Sequence, residues 1–160
     1  MIEFKAGRFG PECVVERFIP FGELTVFLIG NAPPFALPPI QRPLDPLTRL
    51  AWHVAAGARH WVAPVELTAA LEAEASRIAV TAFTALRCRD MARVDLRVDE
   101  RGQVYFLEIN PLPSFDPEGS LGLLAEYLGT TYEALIGQIL AAAAGRLGLA
   151  IEGRRVPQPR

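Results

Sequence analysis

Lysine is almost absent from this chain: of its 16 basic residues only Lys5 is a lysine, and the others are arginines. Heavy Ala and Arg usage can follow from the base composition of a gene, so the imbalance by itself assigns nothing. Cysteine is scarce too. Cys13 and Cys88 form no metal-binding motif, and two reduced, partly buried thiols in a cytoplasmic protein are the expectation. Long apolar runs are missing because Pro, Gly or charge interrupts each of them, which excludes a transmembrane helix from the expected elements. The opening "MIEFKAGRFGPE" has an acid and no apolar h-region, so it does not read as a signal peptide. A formal net charge of −2 gives no general electrostatic reason to bind nucleic acid or a membrane. Apolar surface is abundant, at 51% of 160 residues, which suits one soluble globular domain and excludes a wholly disordered chain.

Strands and helices alternate along the chain. Residues 13–19, "CVVERFI", and 23–29, "ELTVFLI", are β-branched and apolar and flank Pro20-Phe21-Gly22, which predicts two strands with a tight connection. The proline-dense stretch 30–64 is a long connection, with a strand fragment at Phe35-Ala36-Leu37 and a short helix near 47–57. From 67 to 86 the apolar residues recur at helical steps behind Thr68, a suitable N-cap. Residues 92–98, "ARVDLRV", alternate as a half-buried strand does. "DERG" is a turn, and 103–110 is the antiparallel partner. Two helices follow, one from Ser120 to Gly129 and one opening on Thr130 and Glu133 at capping-box spacing. The last ten residues, 151–160, read as a flexible tail.

The hairpin carries the clearest chemical pattern. "YFLEINPLPSF" places Glu108 and Asn110 two residues apart at the end of an apolar strand, hence on one face. A turn closing Val98 against Gln103 would set Arg93 opposite Glu108 and Asp95 diagonal to it, gathering Arg93, Asp95, Glu108 and Asn110. Two carboxylates and a carboxamide are hard oxygen donors of the kind that hold Mg²⁺ against phosphates. A solvated face with a cross-strand Arg93–Glu108 pair explains the alternation equally simply, and such faces are the commoner case. The exit "NPLP" favours a site, because it fixes the chain just beyond the acid. In "VVERFIPFGELTV" the backbone of Arg17, Phe18 and Ile19 could meet a planar heterocycle, with an apolar wall from Phe18 or Ile19.

"VVERFIPFGELTV", "CRDMARVDLRVDERGQVYFLEINPLPSF" and "TTYEALIGQIL", in this order, resemble the C-terminal half of the D-alanine–D-alanine ligase group of ATP-grasp enzymes. The resemblance implies an α+β fold, an ATP-grasp C-terminal subdomain with an antiparallel sheet packed by helices, over residues 1–150. It implies that Glu16 accepts the adenine amino group, that Arg17, Phe18 and Ile19 face the ring, and that Glu23 holds the ribose hydroxyls. Asp95, Glu108 and Asn110 would hold two Mg²⁺ ions, with Mn²⁺ the alternative, and Arg93 would steady the acyl phosphate. Ser114 and Ser120 would lie where the family holds the carboxylate of the amine substrate. The substrates implied are a small-molecule carboxylate and an amine, joined at the expense of ATP.

The chain also departs from the family pattern. The upstream substrate-binding domain and the glycine-rich loop, with lysines that contact ATP phosphates, have no counterpart in these residues. Between 30 and 64 the candidate phosphate donors are Arg42, Arg49, His53, Arg59 and His60. Ser114 stands where the ligases usually have glycine. The expectation is therefore the catalytic half of a ligase, with the rest missing from this chain and needed for activity, and with a homodimer or a separate N-terminal subunit as the partner. The alternative is a reduced ATP-grasp remnant that binds nucleotide or a partner without turnover. A purely structural Mg²⁺ or Ca²⁺ site would explain Asp95, Glu108 and Asn110 but not the hinge block.

Overall fold

Two eight-residue strands lie at the centre of the sheet, and the second alternates apolar residues with charged ones. The computed structural model describes residues 15–45, 47–49 and 65–150. Within them the order is β1 (Gly22–Ile29), β2 (Phe35–Ala36), β3 (Ile40–Arg42), α1 (Ala69–Ala85), β4 (Met91–Val98), β5 (Val104–Asn110), α2 (Ser120–Tyr127) and α3 (Tyr132–Leu147). β1 and β4 pair antiparallel from Gly22↔Val98 to Ile29↔Met91. β2 and β3 take opposite ends of the other edge of β1, and β5 takes the other edge of β4. All pairings are antiparallel and helices cover the sheet, which is the α+β arrangement expected.

Alternation sorts the side chains between the two faces. Leu24, Val26 and Leu28 of β1 and Val94, Leu96 and Val98 of β4 pack against Ala75, Ala79 and Phe83 of α1. Alanine at two of the three buried helix positions lets α1 lie close to the sheet, with Phe83 filling the remaining depth. On the opposite face Phe27, Ile29 and Met91 meet Leu121 and Leu124 of α2 and Leu135 and Ile139 of α3. This second core covers only one end of the sheet.

Several expected elements shift, each for a physical reason. Residues 15–20 form no strand, because β4 and the β2–β3 pair already occupy both edges of β1. β4 is not half-buried but buried on both faces except at Arg93, since the charged residues of its second face pair with Thr25, Glu23 and Arg93 and rest against Phe18. β5 is the reverse: it is an edge strand, and Phe106 and Leu107 of its apolar run are exposed. The prolines around it conceal β3 from a pattern reading. The N-cap of α3 is Thr131 rather than Thr130. The amide of Thr130 is used to close α2 by donating to Ala125 O, beside Gly129 at φ 64. Thr68 caps α1 as expected, accepting from Leu71 N. The expected helix at 47–57 and the tail at 151–160 lie outside the described residues, apart from a turn at 47–48.

Two contacts hold the ends of the fold. Asp90, at φ 67, accepts from Asn31 Nδ2 at 3.1 Å and from Arg146 Nη2 at 2.6 Å, so it joins the exit of β1, the entry of β4 and the end of α3. A Cβ on Gly122 would stand 1.7 Å from Pro117 O, so only glycine lets α2 approach the loop before it this closely.

Gly122→Ala is expected to lower stability by roughly 1–3 kcal/mol, as overpacking does, seen as a reduced thermal midpoint. Unchanged melting would contradict the contact. The Arg146 bond, foremost among its causes, holds the carboxyl of Asp90 below its usual range. The stability this supplies is complete above the unfolded aspartate pKa of about 3.9 and is lost as pH falls through the lower folded value. Denaturant titrations of Arg146→Leu should therefore show the full gap from wild type at pH 7 and a gap that narrows as pH falls below about 3.9.

Candidate functional site

Toward Gly22 and Val98, beyond the reach of α2 and α3, the second face of the sheet becomes polar. Cross-strand rows place Glu23 beside Arg97, Thr25 beside Asp95 and Phe27 beside Arg93. From β4 to β5, Asp95 stands opposite Glu108 and Arg93 opposite Asn110. The expected group of four is assembled, but by a different register. Asp99 N donates to Gln103 O, so the turn closes at Val98↔Val104 instead of Val98↔Gln103. A β-bulge then inserts Leu107 between Phe106, paired with Leu96, and Glu108, paired with Asp95. Without that extra residue Glu108 would fall opposite Val94, on the apolar face under α1.

The four side chains differ in burial. Asp95 is 5% exposed. Its carboxylate accepts from Thr25 Oγ1 at 2.9 Å and from Arg93, with Nη2 at 2.7 Å. Glu108 is exposed, accepts from Asn110 Nδ2 at 2.8 Å, and lies 3.9 Å from Arg93. The solvated-face reading therefore describes Glu108 but not Asp95. The donors fit a hard cation in kind, being oxygen-only and convergent on one face. Among the described residues no three His, Cys, Asp or Glu side chains cluster to hold a metal. Two carboxylates and one carboxamide suit an ion that completes its shell with water and phosphate.

The hinge side is built around a buried charge. Glu23 bonds Arg97 at 3.0 Å and lies 3.6 Å from Arg42. Burial, the largest effect, pushes its carboxyl above the usual value, against the lowering pull of Arg97 and Arg42. Arg97 also donates to Arg49 O and stacks over the Phe18 ring, 5.4 Å from its centroid. Ile19 is buried, while Glu16, Arg17 and Phe18 are exposed. Arg17, Phe18 and Ile19 border a cavity of about 380 Å³ against the hairpin turn and Tyr105. Sequence reasoning assigned no role to Arg97 or Thr25, although their positions beside Glu23 and Asp95 follow from pairing β1 with β4.

A second cavity, about 160 Å³, brings Ser114 and Ser120 together with Arg42 and Arg93. Ser114 Oγ accepts from Asp116 N, and Ser120 Oγ accepts from Arg42 Nη2 at 3.1 Å. Of the two candidate phosphate donors among the described residues, Arg42 reaches this group and Arg49 offers its backbone to Arg97; His53, Arg59 and His60 lie outside the described residues, as do Lys5 and Cys13. Cys88 is a free, half-buried thiol. Among the described residues no helix is long and apolar enough to cross a membrane.

The family model described as D-ala D-ala ligase C-terminus matches residues 3–141. Protein y4sG of Sinorhizobium fredii is 34% identical over 141 residues, covering 85% of this chain and 42% of its own length. The D-alanine–D-alanine ligase of Cupriavidus metallidurans is 30% identical over 141 residues, covering 87% of this chain and 43% of its own. A crystal structure of the Bacillus anthracis D-alanine–D-alanine ligase complexed with ATP superimposes with a TM-score of 0.61 at 25% identity, over 85% of this chain and 42% of that one. The chain spans less than half the length of these relatives.

Removing Arg97 would leave Glu23 buried with only the more distant Arg42. Arg97→Met is expected to destabilise by about 3–5 kcal/mol in a chemical denaturation series. Adding Glu23→Leu should restore much of that loss, since a hydrophobic replacement of a buried pair is often neutral. Additive losses in the double variant would contradict the pairing.

Proposed function

Because the chain belongs to the family of D-ala D-ala ligase C-terminal domains, we propose that it is the nucleotide- and metal-binding half of an ATP- and Mg²⁺-dependent carboxylate–amine ligase that acts through an acyl phosphate. The observation that carries this reading is the bulge-set register, which turns Glu108 and Asn110 toward Asp95 and Arg93 at the cost of one unpaired strand residue. A structural ion pair needs no such device.

In the proposed reaction a carboxylate oxygen attacks the γ-phosphorus of ATP, and the bond to the bridging oxygen breaks, releasing ADP. The amine nitrogen then attacks the acyl carbon, a C–N bond forms, and phosphate leaves with the electron pair while the nitrogen loses a proton. Asp95, Glu108 and Asn110 would hold Mg²⁺, with Mn²⁺ the alternative, and the ion would offset charge on the phosphoryl group. Arg93 lies 2.7 Å from Asp95 and borders the small cavity, where a guanidinium fork suits a developing phosphate anion. Glu16 and the Arg17, Phe18 and Ile19 backbone would receive the adenine, and Glu23 the ribose. Arg97 and Arg42 pull the Glu23 carboxyl down against the larger upward push of its burial. Ser114 and Ser120 would receive the carboxylate of the amine substrate. The relatives' names point to D-alanine as that substrate.

Binding without turnover is the second reading, favoured because arginines and no lysine border the small cavity.

Calorimetry with Mg-ATP on the 160-residue chain should show binding that weakens at least about tenfold in Glu108→Gln, the loss of one charge-assisted contact. Equal affinity in the variant would remove Glu108 from the site. Adding D-alanine and scoring ADP separates the two readings, and ADP release by this chain alone would remove the second.

A further inference from the structure

Among the described residues the buried charged side chains are Glu23, Asp95 and Arg97. The proposed reaction gives each of the two acids a task and leaves the arginine without one. A buried guanidinium is a costly way to fill volume, and an apolar side chain fills it as well. Arg97 lies in one cross-strand row between Glu23 of β1 and Tyr105 of β5. Its guanidinium is shared among three parts of the chain. Nη2 bonds Glu23 at 3.0 Å, Nη1 donates to Arg49 O at 3.2 Å, and the central carbon stands 5.4 Å from the centroid of the Phe18 ring.

The hinge depends on such an anchor. Residues 15–20 belong to no strand, so no ladder of backbone bonds fixes them on the sheet. Side chains make the contact instead: Ile19 is buried, and Phe18 meets Arg97 while remaining 51% exposed. Phe18 and Tyr105 both border the cavity of about 380 Å³, a size within the roughly 300–1,000 Å³ of small-molecule sites. Arg97 is 6% exposed and does not border that cavity, so it acts through the residues it holds. A planar guanidinium bonds a carboxylate at its edge and an aromatic ring at its face, which lets one side chain hold both in register.

We infer that Arg97 is a positioning residue for the nucleotide, setting Phe18 as a wall for the base and Glu23 as an acceptor for the ribose at one fixed separation. The inference rests on the ligase reading, which seats the base at residues 16–19 and the ribose at Glu23. Recognition of the nucleoside then depends on Arg97, whereas recognition of metal-bound phosphates at Asp95, Glu108 and Asn110 does not.

The test is calorimetry of the 160-residue chain with Mg-ATP and with Mg-tripolyphosphate, read as the ratio of the two dissociation constants. Wild type should bind Mg-ATP more tightly. Arg97→Lys keeps a cation for Glu23 but loses the planar face, and should shrink that preference by roughly fivefold to tenfold, as loss of one partly desolvated ring contact does. Phe18→Leu should shrink it similarly, and the double variant should lose little more than either single one, because the two side chains act as a unit. Both constants come from one preparation, so a partly unfolded fraction cancels. Equal losses for the two ligands in Arg97→Lys, an unchanged ratio, or additive losses in the double variant overturn the inference. If Arg97→Lys does not melt as a folded chain, the wild type decides by NMR: the Nε–Hε signal of Arg97 should move with adenosine and stay in place with Mg-tripolyphosphate. A signal that follows tripolyphosphate, or neither ligand, overturns the inference. If wild type still binds Mg-ATP in any of these cases, the ligase reading survives. If it binds neither ligand, both fall.

Discussion

A single unpaired residue governs the chemistry of the sheet. Side chains on a strand repeat every two residues, so inserting Leu107 into β5 exchanges the faces of everything beyond it. Up to Phe106 the even positions of β5 point under α1; after the bulge, Ile109 takes that direction and joins the apolar core. Glu108 and Asn110 are thereby delivered to the polar face, beside two residues that β4 had placed there by plain alternation. The same insertion leaves Leu107 exposed next to the acid. Bulges are frequent at sheet edges and beside active sites, and β5 is an edge strand.

The polar face is costly to build. Glu23, Asp95 and Arg97 are nearly as buried as the leucines behind them, and the raised carboxyl of Glu23 registers that penalty. Among the described residues no buried side-chain polar atom is left without a partner, so the cost is met by completing the network. Arg97 illustrates how: it bonds Glu23, donates to the Arg49 carbonyl and rests on Phe18. Buried ion pairs are weak devices for stability alone, and hydrophobic residues would fill the same volume as well. Their presence at one end of the sheet, with an ordinary apolar core at the other, agrees with the ligand-binding role proposed for this face.

Much of this was legible in the residues, and the rest was hidden for identifiable reasons. The alternation of "ARVDLRV" announced β4 and its charged face, and Thr68 announced the start of α1, because both signals are local. The register of the hairpin was not legible, since turn closure at Val98↔Val104 and the bulge depend on bonds such as Asp99 N to Gln103 O that no spacing rule specifies. Thr130 was the expected cap, but its amide closes α2 and Thr131 caps α3 instead. Residues 15–20 carry strand-forming side chains yet make no strand, because pairing requires a free edge and β1 has none. Arg42 was one of five equivalent candidates in the sequence; only the pairing of β3 with β1 set it apart.

Asp90 shapes the order of events during synthesis. Its carboxylate reaches Asn31, which emerges from the ribosome 59 residues earlier, and Arg146, which emerges 56 residues later. Asn31 in turn donates to Ala142 O, at a separation of 111 residues. The exit of the first sheet strand is therefore tied to the helix near the end of the chain. Domains begin to fold as they are translated, yet this junction cannot close until α3 has left the exit tunnel. The central strands can pair once β4 has emerged at Val98, but they wait unclasped until α3 is complete at Leu147.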